Sequence, residues 1–172
     1  MPIDLRTDIL PLKNKLFRLA LRITLDHAEA EDVVQETIIK VWSRRDEWPQ
    51  IENIEAFCLT ICRNLAVDKT RLTDNQAQTL DEAPLATQYS PLTALSPEDQ
   101  LVQRDRIQLV RRLIDSLPEK QRSCMQLRDV EEKSYRDIAD ILGISEEQVK
   151  VNIFRARQAI RDRLRKIENE EK

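Results

Sequence analysis

One glycine, Gly143, stands in 172 residues, and that shortage narrows the folds open to the chain. Average usage of about 7% predicts roughly 12 glycines in this length. Tight β-turns and phosphate-cradling loops need positive φ or a missing Cβ, and glycine supplies both at least cost. Hairpin-rich β folds, Rossmann domains and P-loop enzymes are therefore disfavoured, and an all-α protein is expected. No run approaches the ~18 consecutive apolar residues of a membrane span, so no direct membrane insertion is expected. The start, Met1-Pro2-Ile3-Asp4-Leu5-Arg6, lacks a signal-peptide apolar run. Three cysteines, an odd number, point to a reducing cytoplasm instead of a disulfide framework.

Helical periodicity fills most of the chain. Leu12, Leu16, Leu19 and Ile23 recur at helical spacing. Asp26 followed by Glu29 reads as an N-cap with its acid three residues on. That helix should run to about Arg45, with Val34, Ile38, Val41 and Trp42 inward. Trp48-Pro49 breaks the pattern, and Asn53 can cap a third helix carrying Phe57, Ile61 and Leu65 on one face. Residues 73–96 hold Pro84 and Pro91, no Lys or Arg and no sustained period, so they read as a flexible acidic linker. Four helix starts follow: Ser96-Pro97-Glu98-Asp99, Pro118-Glu119, Ser134 with Asp137, and Ser145 with Gln148. They predict helices over roughly 97–116, 118–129, 135–142 and 146–168. The expectation is two small helical domains, 1–72 and 97–172, joined by the linker. Each block is only about 70 residues and would be marginal alone, so its stability should lean on docking to a partner.

Charge is unevenly placed. Residues 1–72 carry 11 basic and 12 acidic side chains, 73–103 carry none and five, and 104–172 carry 17 and 14. Between Lys150 and Lys166 stand seven basic residues and one acid, Asp162. A basic element on an acidic chain argues against a nucleic-acid coat protein. It allows a local DNA contact that needs a partner's help.

The segment from Tyr135 to Lys150 carries the sharpest signal. Gly143 sits where a left-handed residue ends a helix cheaply. Ala139 is small where two helices must approach closely, and Val149 can plug the corner. This spacing matches a DNA-binding helix-turn-helix, so the C-terminal four-helix unit is expected to contain one. On the last helix, Val149, Ile153, Ala156, Ile160 and Leu164 form one stripe. Val151 and Phe154 lie about 200° and 140° away from it. Outward apolar side chains there can touch thymine methyl groups, or pack on another domain. Arg155 can reach guanine or phosphate, while Arg157, Arg161, Arg163 and Arg165 suit phosphates or a solvated basic face.

Both blocks together resemble an extracytoplasmic-function (ECF) RNA polymerase sigma factor of the sigma-70 superfamily. Ala30-Glu31-Asp32-Val33-Val34-Gln35-Glu36-Thr37 is similar to the family segment that docks the clamp helices of the polymerase β′ subunit. Ala56-Phe57-Cys58-Leu59-Thr60-Ile61-Cys62-Arg63-Asn64-Leu65-Ala66-Val67-Asp68 is similar to the segment that lies against the −10 promoter element. Leu117-Pro118-Glu119-Lys120-Gln121-Arg122 resembles the opening of the −35 binding domain, and Phe154-Arg155-Ala156-Arg157 its ending. At the recognition helix the chain departs from the common family pattern, with Glu146-Glu147-Gln148-Val149-Lys150-Val151-Asn152.

The resemblance implies a set of contacts. Asp32, Gln35, Glu36 and Lys40 would face the polymerase. Arg63, Asn64, Asp68, Lys69 and Trp48 would face the −10 element, with Trp48 either a stacking surface for a flipped base or a hydrophobic plug. Glu147, Gln148, Lys150, Val151, Phe154, Arg155 and Arg157 would face the −35 element. The partners would be core RNA polymerase, promoter DNA and an anti-sigma factor, with no small-molecule substrate. The linker would lie in a basic polymerase channel. Cys58 and Cys62 are four apart, but His27 is the only histidine and closed zinc sites want four ligands. With no nucleophile, base or metal constellation, the expectation is a non-enzyme without cofactor. The rival is a one-component helix-turn-helix activator whose helical N-terminal domain senses a ligand.

Overall fold

A computed structural model of the protein describes the backbone of residues 2–76 and 97–170 and the side chains of 2–72 and 104–170. The linker proper, and the capping by Ser96, lie outside the described residues. Among the described residues there is no β-strand. A π-helical turn (Leu5–Ile9) and a 3₁₀ turn (Leu10–Leu12) lead into α1, Lys13–Thr24. α2 spans His27–Ser43, a 3₁₀ turn spans Arg45–Gln50, and α3 spans Ile54–Gln76. The second block comprises α4 (Pro97–Asp115), α5 (Glu119–Met125) continued by a π-helical turn (Gln126–Val130), α6 (Tyr135–Leu142) and α7 (Glu146–Glu170).

The caps sit where the sequence places them. The Glu29 amide donates to Asp26 Oδ1 at 2.9 Å, that of Ala56 to Asn53 Oδ1 at 3.1 Å, and that of Asp137 to Ser134 Oγ at 3.0 Å. Differences fall at the ends. α2 stops at Ser43, because the Trp48-Pro49 pair tightens the following turn into 3₁₀ geometry. α3 continues through residues 73–76, expected as linker; no proline or glycine stands there to stop it. With so little glycine, two other residues take left-handed backbone: Leu25 (φ 58°) closes α1 and Glu132 (φ 57°) precedes α6. Such positions are costly for a side-chain-bearing residue. They persist because flanking hydrogen bonds hold them, as where the Leu25 amide donates to the Leu21 carbonyl at 2.8 Å.

α1, α2 and α3 pack as a bundle around Leu16, Leu19, Ile23, Val33, Leu59 and Cys62. In the second block α5, α6 and α7 close around Leu127, Ile138, Ile141, Val149 and Ile153. A smaller cluster of Leu113, Leu117, Ala156 and Ile160 seats α4 on α7. The helical stripe read from α7 is thus its buried face, and Val151 and Phe154 are exposed, at 43% and 66%.

The two domains are not held merely by a tether. α6 packs on α3 and α5 on α1, so one apolar cluster runs through both blocks. Polar contacts frame that seam. Arg18 donates Nε and Nη2 to the Glu131 carboxylate at 2.7 and 3.0 Å. Arg22 pairs with Asp115 at 2.9 Å and donates to Gln126 Oε1 at 3.3 Å. Arg63 donates through two nitrogens to Glu119, at 3.3 and 3.1 Å. Lys133 reaches Glu55 at 2.6 Å, and Lys15 reaches the same oxygen at 2.9 Å. Arg122 is 93% buried in the seam (7% exposed) and donates Nη1 to the carbonyl of Arg22, at the end of α1. Burial pulls its guanidinium pKa below the ordinary value, against the pull of Asp115 and Glu119. The partner on which each block leans is therefore the other block.

One of these pairs gives the seam a pH dependence. Burial pushes the Glu55 carboxyl up, but hydrogen bonds from Lys133 and Lys15 outweigh it and hold the pKa below 4.5. A depressed carboxylate pKa adds stability above the unfolded value and loses it as pH falls through the folded one. Glu55→Gln should therefore lower the urea midpoint near neutrality, and the gap to the native chain should close as pH falls below about 4.5. A gap constant across that range would remove Glu55 from the acid response.

Candidate polymerase and nucleic-acid interfaces

α2 turns one face to solvent. Asp32, Gln35, Glu36 and Lys40 are all exposed on it, and Ile39, 65% exposed, lies among them. An Ile carrying that much free apolar surface between acids has no packing role in this chain. Trp42 borders the face, 46% exposed. The Arg45 guanidinium lies 4.8 Å above its ring, and Trp48 meets it edge-on with centroids 5.9 Å apart. Trp48 is itself buried and donates its indole N–H to the Val41 carbonyl at 3.0 Å. Of the two readings open for Trp48, this geometry is the plug, and the accessible ring at this corner is Trp42. Trp42, expected inward on α2, is instead half-exposed, because Trp48 takes the buried place beside Val41, and Ile39 is not among the contacts expected from the sequence. Wheel arithmetic on α2 would have found Ile39, which shares the face of Asp32 and Glu36.

The α3 residues divide. Asn64 and Asp68 are exposed and line a groove of about 450 Å³ with Lys40, Ser43, Arg44 and Leu65. Lys40, assigned to the polymerase, thus meets residues assigned to the −10 element. Lys69 donates to Asp32 Oδ2 at 3.1 Å, so these two assigned residues face each other across α2 and α3. Arg63 alone is turned away, into its pair with Glu119. The groove mixes cationic, amide and carboxylate groups with an apolar floor, which suits a backbone phosphate beside a base edge.

In the second block the turn between α6 and α7 depends on Gly143, at φ 67° and ψ 37°. The Ile144 amide donates to the Ala139 carbonyl at 3.1 Å, the six-to-one bond of a Schellman end. A Cβ built on Gly143 meets nothing within 4 Å, so backbone conformation and not space demands glycine. Ser145 and Gln148 then form a reciprocal capping box, at 3.0 and 3.1 Å. Gln148 is thereby committed to the helix start. Lys150 lies over the Tyr135 ring at 5.5 Å, and Arg157 makes a two-nitrogen pair with Asp129. Glu147, Val151, Phe154 and Arg155 are exposed. A shallow groove of about 350 Å³, lined by Tyr135, Lys150, Ile153, Phe154, Arg157 and Arg161, runs beside them. Convex, cationic and studded with apolar tips, this helix suits insertion into a major groove.

Cys58 and Cys62 are buried thiols pushed up by burial to about 12, and Cys124 to about 11. Among the described residues no three His, Cys, Asp or Glu side chains are grouped to hold a metal ion. None of the described helices is long and apolar enough to cross a membrane.

Comparison with known proteins agrees with this arrangement. The family "Sigma-70 region 2" matches residues 9–76 and "Sigma-70, region 4" residues 107–160. The ECF RNA polymerase sigma factor SigW of Bacillus subtilis is 30% identical over 170 residues, 94% of this chain and 90% of the relative. The chain belongs to the ECF sigma factors. The RNA polymerase sigma-H factor of Pseudomonas aeruginosa is also 30% identical, over 89% of this sigma factor and 83% of the relative. Among solved structures, the sigma factor RpoE in complex with the anti-sigma factor NepR from Bartonella quintana superposes with a TM-score of 0.76. It shares 25% identity and covers 94% of this chain and 97% of that one. The two matched regions coincide with the two helical blocks. Region 2 holds the α2 face and the α3 groove, and region 4 holds the helix-turn-helix.

The turn makes a direct test of the recognition unit. Gly143→Ala should destabilise the sigma factor by about 1–2 kcal/mol through left-handed strain, read as a lower urea midpoint. Gly143→Asn should lose less, because asparagine tolerates that region. Equal losses from both would mean that something besides φ selects glycine here.

Proposed function

We infer that this sigma factor is a transcription initiation factor that binds core RNA polymerase and directs it to promoters. The observation that carries the reading is the pairing, in one chain, of an exposed acidic face on region 2 with an outward recognition helix on region 4. The finer assignments follow from that pairing. Asp32, Gln35 and Glu36, with Ile39 between them, would dock the β′ clamp helices. Asn64, Asp68 and Lys69, with Arg63 once released, would meet the −10 element. Glu147, Val151, Phe154 and Arg155 would read the −35 element, while Lys150 and Arg157 would contact its phosphates. We propose that the protein works in the cytoplasm, where its polymerase is, and that the polymerase supplies all the catalysis. An anti-sigma factor fits as a regulator, since the RpoE relative was solved with one.

The decisive measurement is initiation by purified core polymerase with and without the chain. Promoter-specific transcripts only in its presence are expected. Equal transcripts in both reactions, together with tight binding to naked duplex, would instead fit a one-component activator. Arg155→Ala should reduce promoter-dependent initiation about 5- to 100-fold, the worth of one good base contact, and leave polymerase affinity unchanged. A parallel fall in both would move Arg155 out of the reading face. Asp32→Lys combined with Glu36→Lys should weaken polymerase association at least about tenfold, as expected when like charge faces like charge across an interface. Unchanged affinity would return this face to plain solvent.

A further inference from the structure

Lys69 belongs to two interfaces at once. Its ammonium donates to Asp32 Oδ2 at 3.1 Å, and Asp32 is the first of the acids that region 2 offers to the polymerase. On its own helix Lys69 stands next to Asp68 and one turn past Leu65, and both of these line the α3 groove. The side chain is therefore rooted at the groove and reaches out to the acidic face of α2. The two ends of the pair differ in shielding: Lys69 is 24% exposed and Asp32 65%. The carboxylate is open to an incoming cation, while the ammonium is the shielded member. Glu36, one turn from Asp32 on the same face, makes no ion pair among the described residues. Of the two acids, Asp32 alone is already occupied.

Charge counting gives the consequence. Two carboxylates attract a basic partner surface, and a cation set beside one of them subtracts from that attraction. When a partner cation arrives at Asp32, the Lys69 ammonium must leave or share its carboxylate. Exposed ion pairs are worth little, at most about a fivefold factor in an equilibrium. That is enough to set an affinity and too little to block docking. A lysine is one compact charge on a flexible stem. It cannot fully neutralise Asp32 and a strand phosphate in the groove at the same time. A phosphate that draws the ammonium toward the groove therefore uncovers Asp32.

We propose that Lys69 is an internal competitor for Asp32, which lowers the affinity of the sigma factor for polymerase until promoter DNA draws it away. This rests on the initiation reading above. The same ammonium then serves both surfaces in turn. With DNA in the groove, Asp32 is free for the polymerase and the sigma factor is held more tightly. When the DNA leaves, Lys69 returns to Asp32 and the hold loosens.

The test titrates the full chain against purified core polymerase, without DNA and with the duplex fragment transcribed in the initiation assay above. Without DNA, Lys69→Gln should bind polymerase about two- to fivefold more tightly than the native chain, because Asp32 is uncovered. Asp32→Asn should bind more weakly. Adding Lys69→Gln to Asp32→Asn should restore nothing, because no carboxylate is left to compete for. With the duplex present, the advantage of Lys69→Gln over the native chain should vanish, since the native ammonium has moved to the DNA. The sign is the discriminating readout: a pair that only braces α3 against α2 would give a loss of affinity when broken, never a gain. Equal or weaker binding by Lys69→Gln without DNA overturns the competitor, and so does a gain that persists in the Asp32→Asn chain. An advantage undiminished by the duplex overturns the part given to the promoter. A native chain without affinity for polymerase would sink the initiation reading and the competitor with it, whereas native binding with an unmoved Lys69→Gln removes the competitor alone.

Discussion

The structure hinges on the seam between its two helical domains, and on arginine within it. Arg18 and Arg22, one turn apart on α1, point at the second block, and Arg122 points back from α5 to the end of α1. Each domain of about 70 residues hides too little apolar surface to be robust alone. Docking lets Leu127 and Ile138 join the cluster of Leu19 and Leu59, so apolar burial continues across the boundary. The ion pairs contribute less to stability than their number suggests, since partial exposure and desolvation offset the attraction. Their effect is on orientation: complementary charges admit one docking geometry and disfavour others.

That division leaves apolar burial to hold the domains together and charge to set how they meet. A seam held by apolar surface alone would be difficult to separate in water. A guanidinium in a largely shielded pair can exchange its carboxylate for a phosphate and keep an anion either way. Arg63 illustrates this directly, since carboxylate and phosphate present it with similar oxygens.

Local chemistry explains what the sequence made legible. Caps at Asp26, Asn53, Ser134 and Ser145 depend on one side chain and an amide two or three residues away, so the sequence contains the whole interaction. The α7 stripe is equally local: Val149, Ile153 and Ala156 are buried, and Val151 and Phe154 face out. Gly143 could be placed because left-handed φ has a residue-specific cost. The seam was not legible, because an Arg–Glu pair 113 positions apart in sequence leaves no periodic trace. Arg18 and Arg22 read equally well as a solvated face of α1. Trp48 was undecided for the same reason: its fate turns on whether the Val41 carbonyl is within reach of its indole, a matter of how the 3₁₀ turn folds back.

The glycine shortage connects these levels. A chain with one glycine must turn its corners with other residues, and here Leu25 and Glu132 do so in left-handed backbone. Both corners lie beside the seam. Leu25 ends α1 just after Arg22, and Glu132 stands between Glu131, which holds Arg18, and Lys133, which holds Glu55. A left-handed residue reverses the chain abruptly, and at residue 132 it lets two neighbours of opposite charge reach separate partners on α1 and α3. A glycine would turn as sharply with less strain, but it would loosen the backbone on either side. The strained corner is therefore better suited to a docking surface whose charges must arrive in register.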